Sequence, residues 1–284
     1  MDNRPIAIFD SGVGGLTVMR AVVDVLPDED IIYLGDTARV PYGNRGAETV
    51  RRYSHNAAHM LAQFDVKALV IACNTATAYG LSSLRECFDF PMVGVVEPVA
   101  RAAAVVTQTG EVGVIGTRGT VASGSYPTVL SRLDSNLKVH QFACPLLVPL
   151  AEEGWTDGEV VETVLRRYLE PLTSTKVDTL ILGCTHYPLL TKCIGRVLAK
   201  TMPHAVTLLD SAASTAQSLG EELSERGLLR GDEVAAPSGR GSLRFLMTDL
   251  PDGFVGTAER FFGGEIRSYE HIDIIDQSAG PDER

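Results

Sequence analysis

Short runs of apolar, mostly β-branched residues recur along the chain, and each ends in a polar or glycine-containing turn before a helical pattern begins. The runs span residues 6–9, 31–34, 68–72, 93–96, 112–115, 179–182 and 206–209. Continuous apolar strands that alternate with helices are typical of parallel sheets covered on both faces. The pattern therefore predicts a doubly wound α/β fold. Ligands bind at the carboxyl ends of such strands, where the polar turns fall.

The pattern also repeats weakly within the chain. Two pairs of runs have similar spacing, 63 residues from Ile6 to Leu69 and 67 residues from Val112 to Thr179. In each pair the first run ends in a glycine-rich turn and the second leads into a cysteine. The repeat predicts two similar parallel-sheet lobes related by a pseudo-two-fold axis, with the active site in the cleft between them.

The same pattern suggests where the lobes divide. We expect residues 1–97, completed by the C-terminal segment 209–284, to form the first lobe and residues 98–208 to form the second. The hinge is expected near Glu97 and Pro98. The Gly-, Pro- and Ser-rich stretch 230–242 predicts a loop before a last strand at 243–247, and residues 277–284 predict a polar tail.

Composition and charge narrow the class of protein. The 284 residues are 45% hydrophobic and 21% charged, and 25 Lys and Arg against 36 Asp and Glu give a net charge of −11. An acidic chain is not expected to bind nucleic acid or an anionic membrane. The sequence shows no signal-peptide pattern and no apolar run long enough to cross a membrane. We therefore expect a reduced, cytoplasmic protein that acts on a small molecule; a homodimer remains open.

Residues 10–17 form a glycine-rich turn between a predicted strand and a predicted helix. Backbone N–H groups at a helix N-terminus bind anions. The turn is not a dinucleotide fingerprint, because Thr17 stands where GxGxxG requires glycine, and no P-loop Lys-Ser/Thr follows. A purely structural turn is the alternative, but Asp10 and Ser11 at its tip favour an anion or amino-acid site.

Two of the five cysteines, Cys73 and Cys184, stand at predicted strand ends. The residues that follow them are polar: Asn74 and Thr75, and Thr185 and His186. A cysteine after a strand is often only a packing residue. Here a helix N-terminus and a neighbouring imidazole would lower the thiol pKa, so we expect both thiols to be reactive. His186 would orient or protonate at the Cys184 side, or cap the helix.

The sequence offers no cofactor or metal site. His55 and His59 lie four residues apart but lack a third ligand. A pyridoxal-phosphate enzyme needs a Schiff-base lysine, and none of the five lysines lies in a strand-end motif. We therefore expect a reaction that needs neither metal nor cofactor.

Six segments of the chain form a recognisable set: FDSGVGGLTV (9–18), YLGDTARVPYG (33–43), ACNTATA (72–78), GVVEP (94–98), VIGTRGT (114–120) and LGCTHYPLL (182–190). Together they resemble the glutamate racemases of the cofactor-independent aspartate/glutamate racemase superfamily. The pair ACNTA and GCTHYP is especially specific. The resemblance runs from residue 9 to about residue 210 and is weaker beyond.

The resemblance implies an enzyme that interconverts L- and D-glutamate and supplies D-glutamate for peptidoglycan. It implies that Cys73 handles the proton of D-glutamate and Cys184 that of L-glutamate. The auxiliary acids it implies are Asp10 and His186, with Asp36 and Glu152 as lesser candidates and Glu153 as an alternative to Glu152. The substrate contacts it implies are Asp10, Ser11, Tyr42, Gly43, Asn74, Thr75, Thr117, Thr120, Thr185 and His186.

The chemistry of the residues agrees with this expectation. Racemisation removes a proton from one face of Cα and delivers one to the other, which two opposed thiols can do as base and acid. An aspartate or hydantoin racemase of the same superfamily is the second hypothesis. A cysteine hydrolase that uses Cys184 with His186 is the third, and it would leave Cys73 dispensable.

Overall fold

The computed structural model describes residues 2–231 and 241–275. The strands in these ranges are β1 (Ile6–Asp10), β2 (Ile31–Gly35), β3 (Ala68–Ile71), β4 (Met92–Gly94), β5 (Glu111–Gly116), β6 (Lys138–Ala143), β7 (Thr179–Gly183), β8 (Thr207–Asp210), β9 (Leu243–Met247) and β10 (Glu270–His271). The predicted loop 230–242 lies mostly, and the predicted tail wholly, outside the described residues.

Helices connect most of these strands. The α-helices are α1 (Leu16–Val25), α2 (Ala47–Ala62), α3 (Asn74–Arg85), α4 (Val96–Val106), α5 (Arg118–Ala122), α6 (Ser125–Leu133), α7 (Leu147–Glu152), α8 (Glu159–Leu169), α9 (Thr191–Thr201), α10 (Ser211–Glu225) and α11 (Phe254–Phe262). Short 3₁₀ turns span Thr37–Arg39, Tyr42–Asn44, Glu170–Ser174 and Tyr187–Leu190. No helix in the described part of the chain is both long enough and apolar enough for a membrane span.

The strands form two parallel sheets, which confirms the predicted fold class. The first sheet has the order β10-β9-β2-β1-β3-β4 and the second the order β6-β5-β7-β8. Among the described residues, all strand pairings are parallel. The segment β2-β1-β3-β4 thus has the same topology as β6-β5-β7-β8, as the internal repeat predicts. We call the first sheet with its helices the first lobe, and the second sheet with its helices the second lobe.

The near-continuous apolar character of the strands follows from burial on both faces. In β1, Ile6 and Ile8 pack into one hydrophobic core and Ala7 and Phe9 into another. Strands β5 and β7 divide their residues between two further cores in the same way. Polar side chains are therefore found at the carboxyl ends of the strands, beyond the buried faces of the sheets.

The chain passes from the first sheet to the second through α4. The expected hinge residues Glu97 and Pro98 lie in the first turn of this helix, where proline is tolerated because its missing N–H has no helical partner. Strand β9 pairs with β2, so the C-terminal segment adds to the first sheet. The lobe boundaries at residues 97 and 209 stay a prediction.

Candidate active site

The two cysteines lie at equivalent positions in the two lobes. Cys73 follows β3 and begins α3, with its Sγ accepting a hydrogen bond from the Ala76 N–H at 3.4 Å. Cys184 follows β7, the strand that occupies the same position in the second sheet. Each is only 7% exposed. Both are therefore buried thiols at the carboxyl ends of equivalent inner strands in the two sheets.

Both thiols line one small cavity between the lobes, with a volume of about 30 Å³. Eight other residues of its lining were expected from the sequence as substrate contacts: Ser11, Tyr42, Gly43, Asn74, Thr75, Thr117, Thr185 and His186. The space holds about two water molecules, which is too little for an amino acid.

Three further expected site residues do not line the cavity, but each forms a hydrogen bond with a residue that does. Asp10 is fully buried and accepts the Gly12 N–H at 3.0 Å. Thr120 bonds Thr75 at 3.0 Å, and Glu152 bonds His186 at 3.0 Å. These three residues shape the lining rather than form it.

The glycine-rich turn brings the first lobe against the cysteine motif of the second. A Cβ added at Gly14 would overlap Thr185 Oγ1 and His186 Nδ1, so only glycine fits this approach. Asp10 Oδ1 has no hydrogen-bond partner among the described residues. Burial raises the pKa of Asp10, although the charge of His186 and backbone N–H bonds oppose the rise. The turn thus places a buried, incompletely bonded carboxyl beside the cavity.

The Cys73 thiol does not have the lowered pKa expected from its position at a helix N-terminus. Burial, reinforced by the charge of Asp10, raises the pKa of Cys73 to about 12. Hydrogen bonds from Ser11 and Ala76 act in the opposite direction but do not compensate. The expectation was wrong because the cost of desolvating a thiolate in the closed cleft exceeds what the helix end supplies.

His186 lies between Cys184 and a carboxylate. Its Nδ1 is 3.8 Å from Cys184 Sγ and 3.4 Å from Thr185 Oγ1, and its Nε2 is 3.0 Å from Glu152 Oε1. Burial disfavours the imidazolium, but the bonds with Cys184 and Glu152 outweigh it and raise the pKa of His186 to about 10. An imidazolium in this position can donate a proton at the Cys184 side. It is Glu152, not Glu153, that makes this bond.

A cluster of threonine hydroxyls joins the two lobes at the cavity. Thr75 of the first lobe lies 2.9 Å from Thr117 and 3.0 Å from Thr120 of the second. Thr117 also bonds Thr120 at 3.1 Å and caps α5 by accepting the Thr120 N–H. These hydroxyls hold the closed arrangement and offer uncharged hydrogen-bond donors to a ligand.

Tyr126 is a site residue that sequence reasoning missed. Its hydroxyl donates to Asn74 Oδ1 at 2.7 Å, and its side chain is fully buried. Asn74 Nδ2 is buried and has no partner among the described residues. The bond therefore fixes the amide of a cavity-lining residue whose Nδ2 donor is unpaired. Tyr126 lies in α6, away from any strand end, so no sequence signal marks it.

Asp36, a lesser candidate for an auxiliary acid, supports the cleft wall instead of lining the cavity. It is fully buried and accepts hydrogen bonds from Tyr42 at 2.6 Å and from Thr248 at 3.0 Å. Arg39 forms an ion pair with it at 3.1 Å. These contacts tie residues 36–42 to the end of β9, so Asp36 acts through Tyr42.

One group elsewhere has the composition of a metal site. In the described ranges, Asp157, Glu162 and Cys193 are the trio whose ligand atoms lie within 4.8 Å of one another. Arg196 pairs with both acids and Lys200 pairs with Glu162. The carboxylates are therefore already neutralised, and we assign no metal site to them.

Comparison with known proteins gives consistent matches. The family model described as Asp/Glu/Hydantoin racemase matches residues 11–219. The chain is 50% identical to a glutamate racemase of Geobacter metallireducens over 272 residues, 95% of this chain and 97% of that protein.

Solved structures agree with the sequence matches. Glutamate racemase isoform RacE1 of Bacillus anthracis superposes with a TM-score of 0.88 at 42% identity, covering 96% of this chain and 99% of that one. Glutamate racemase of Francisella tularensis, solved in complex with D-glutamate, has a TM-score of 0.88 at 34% identity, with the same coverage.

Proposed function

This chain belongs to the Asp/Glu/Hydantoin racemase family, and from that premise we propose that it interconverts L-glutamate and D-glutamate. The observation that carries the proposal is that two buried thiols, Cys73 and Cys184, line one closed cavity between topologically equivalent lobes. The relatives named glutamate racemase, one of them solved with D-glutamate, indicate the substrate.

The proposed reaction is a two-base proton transfer at Cα. In the L to D direction the thiolate of Cys184 takes the Cα proton, and the thiol of Cys73 donates its proton to the opposite face. The products are D-glutamate, a Cys184 thiol and a Cys73 thiolate; the reverse direction exchanges the two roles. The raised pKa of Cys73 keeps this thiol protonated at neutral pH, which is the state that donates a proton to Cα in the L to D direction.

Auxiliary groups serve each thiol. The His186–Glu152 pair lies beside Cys184, where it exchanges a proton with that sulfur. Asp10 lies on the Cys73 side, and its charge is one of the causes of the raised Cys73 pKa. Both thiols thus have an acid–base neighbour, as a reversible reaction requires.

Uncharged donors would hold the substrate. The lining offers the hydroxyls of Ser11, Thr75, Thr117 and Thr185 and the free amide of Asn74. Such donors, held in place before the reaction, stabilise negative charge that develops on the carboxylate as Cα loses its proton. We also propose that the D-glutamate formed enters peptidoglycan biosynthesis in the cytoplasm. Homodimerisation stays a prediction.

Chiral analysis of the purified protein with L-glutamate tests the proposal. The protein is first dialysed against a chelator, and no cofactor is added; we expect an equimolar mixture of the enantiomers. C73A and C184A should each lose activity by about 10²- to 10⁴-fold, whereas C87A, at an exposed thiol, should not. Activity that returns only when metal or pyridoxal phosphate is added would contradict the proposed mechanism. Turnover of aspartate or a hydantoin instead of glutamate would contradict the proposed substrate. Normal turnover by C73A would favour a hydrolase.

A further inference from the structure

Helix α11 of the first lobe contacts the end of α7 in the second lobe. Phe261 of α11 is buried in the hydrophobic core on one face of the first sheet, which anchors the helix. Arg260 Nη1 donates to the backbone carbonyl of Glu152 at 2.8 Å. Thr257 Oγ1 lies 3.5 Å from the same oxygen. The first lobe thus holds the main chain of Glu152.

The carbonyl of Glu152 needs such a partner because Glu152 ends α7. The last carbonyls of a helix have no partner within it, and a cation at that end interacts favourably with the helix dipole. Gly154, at φ +75°, leaves room for the guanidinium: a Cβ there would lie 3.0 Å from Arg260 Cζ. The local backbone is therefore shaped around this contact.

We infer that Arg260 is a positioning residue, which acts through the main chain of Glu152 to fix the carboxylate that bonds His186. Glu152 Oε1 lies 3.0 Å from His186 Nε2, and His186 Nδ1 lies 3.8 Å from Cys184 Sγ. Phe261, next to Arg260 on α11, contacts the His186 ring edge-on, with centroids 4.9 Å apart. The expected effect of Arg260 on the rate rests on the proposed function. Its expected effect on the position of Glu152 does not.

The first measurement is the pKa of His186, followed by NMR titration of the histidine ring protons. The titratable groups that act on His186 are Glu152 from α7, Cys184 from the end of β7 and Asp10 from the end of β1. R260A should lower the His186 pKa, because the loss of a fixed Glu152 carboxylate outweighs the removal of one exposed, solvent-screened cation. R260K, which keeps a cationic donor, should restore part of the shift. This readout is independent of the substrate.

The second measurement is the pH dependence of glutamate racemisation. R260A should lower kcat by about 3- to 10-fold, because the Glu152 carbonyl loses its hydrogen bond from a charged but exposed guanidinium. KM should change little. The basic limb of the pH profile should move to lower pH, because His186 loses its proton earlier. A defect that only destabilised the fold would lower the melting temperature without moving this limb.

Arg20 provides the matched control. Its Nη1 donates to the carbonyls of Phe262 and Gly263 at 3.1 and 2.8 Å, at the C-terminal end of the same helix. R20A should therefore weaken α11 but leave the His186 pKa and the pH limb unchanged. A wild-type His186 pKa in R260A, or the same shift in R20A, would overturn the inference. Inactivity of the wild-type protein toward glutamate would instead overturn only the proposed function.

Discussion

Replacing Tyr126 with phenylalanine removes one hydroxyl that orients Asn74 across the two lobes. Tyr126 donates to Asn74 Oδ1 at 2.7 Å, and Asn74 Nδ2 has no hydrogen-bond partner in the described ranges. In Y126F the amide of Asn74 loses the contact that distinguishes its oxygen from its nitrogen. The side chain can then rotate and no longer presents Nδ2 to the substrate.

The size of the effect follows from burial. A buried acceptor that loses its donor costs about 1–3 kcal/mol. Tyr126 lies in α6 of the second lobe and Asn74 in α3 of the first, so the bond joins the two lobes. We expect this cost to fall on the complex in which Asn74 binds the substrate, so kcat/KM for L-glutamate should fall about 5- to 150-fold.

Y79F is the matched control for this measurement. Tyr79 also donates across the lobes, to the Gly119 carbonyl at 3.0 Å, but that oxygen also accepts the Ser123 N–H at 3.0 Å. Y79F therefore leaves no unpaired acceptor, and kcat/KM should change by less than about threefold. Wild-type kcat/KM in Y126F, or an equal loss in both variants, would refute the role assigned to Tyr126.

Three further predictions concern the proton path and the fold. When L-glutamate is racemised in deuterated water, the D-glutamate formed in the first turnovers should carry deuterium at Cα, and the remaining L-glutamate should stay unlabelled. Mass spectrometry measures the label, and hydrogen retained in the product would exclude two opposed thiols. E152Q removes a charge that helps raise the pKa of His186 to about 10, so the basic limb of kcat/KM should move to lower pH; an unmoved limb would refute the coupling. Lys67 forms a buried ion pair with Glu29 at 2.5 Å, so K67M should lower the free energy of unfolding by about 3–5 kcal/mol. Urea denaturation measures this, and a loss below about 1 kcal/mol would contradict it.

Much of the fold could be predicted from local pattern. The apolar runs coincide with strands such as β1, β3 and β7, because strands buried on both faces must be apolar throughout. The internal repeat predicted two similar lobes, and four strands of the first sheet do share the topology of the second. The strand-end position of Cys73 and Cys184 also followed, since parallel strands direct their carboxyl ends to one edge.

The electrostatics and the supporting contacts were decided only by the tertiary structure. The thiol of Cys73 has the local setting of a reactive cysteine, yet burial beneath the second lobe raises its pKa to about 12. Tyr126 and Arg260 reach Asn74 and Glu152 from helices that are distant along the chain. The periodicity of apolar residues along the chain determines which face of a helix or strand is buried, because residues close in sequence form that face. The desolvation of a charge and the partner of a polar atom depend on what packs above them, which only the closed pair of lobes specifies.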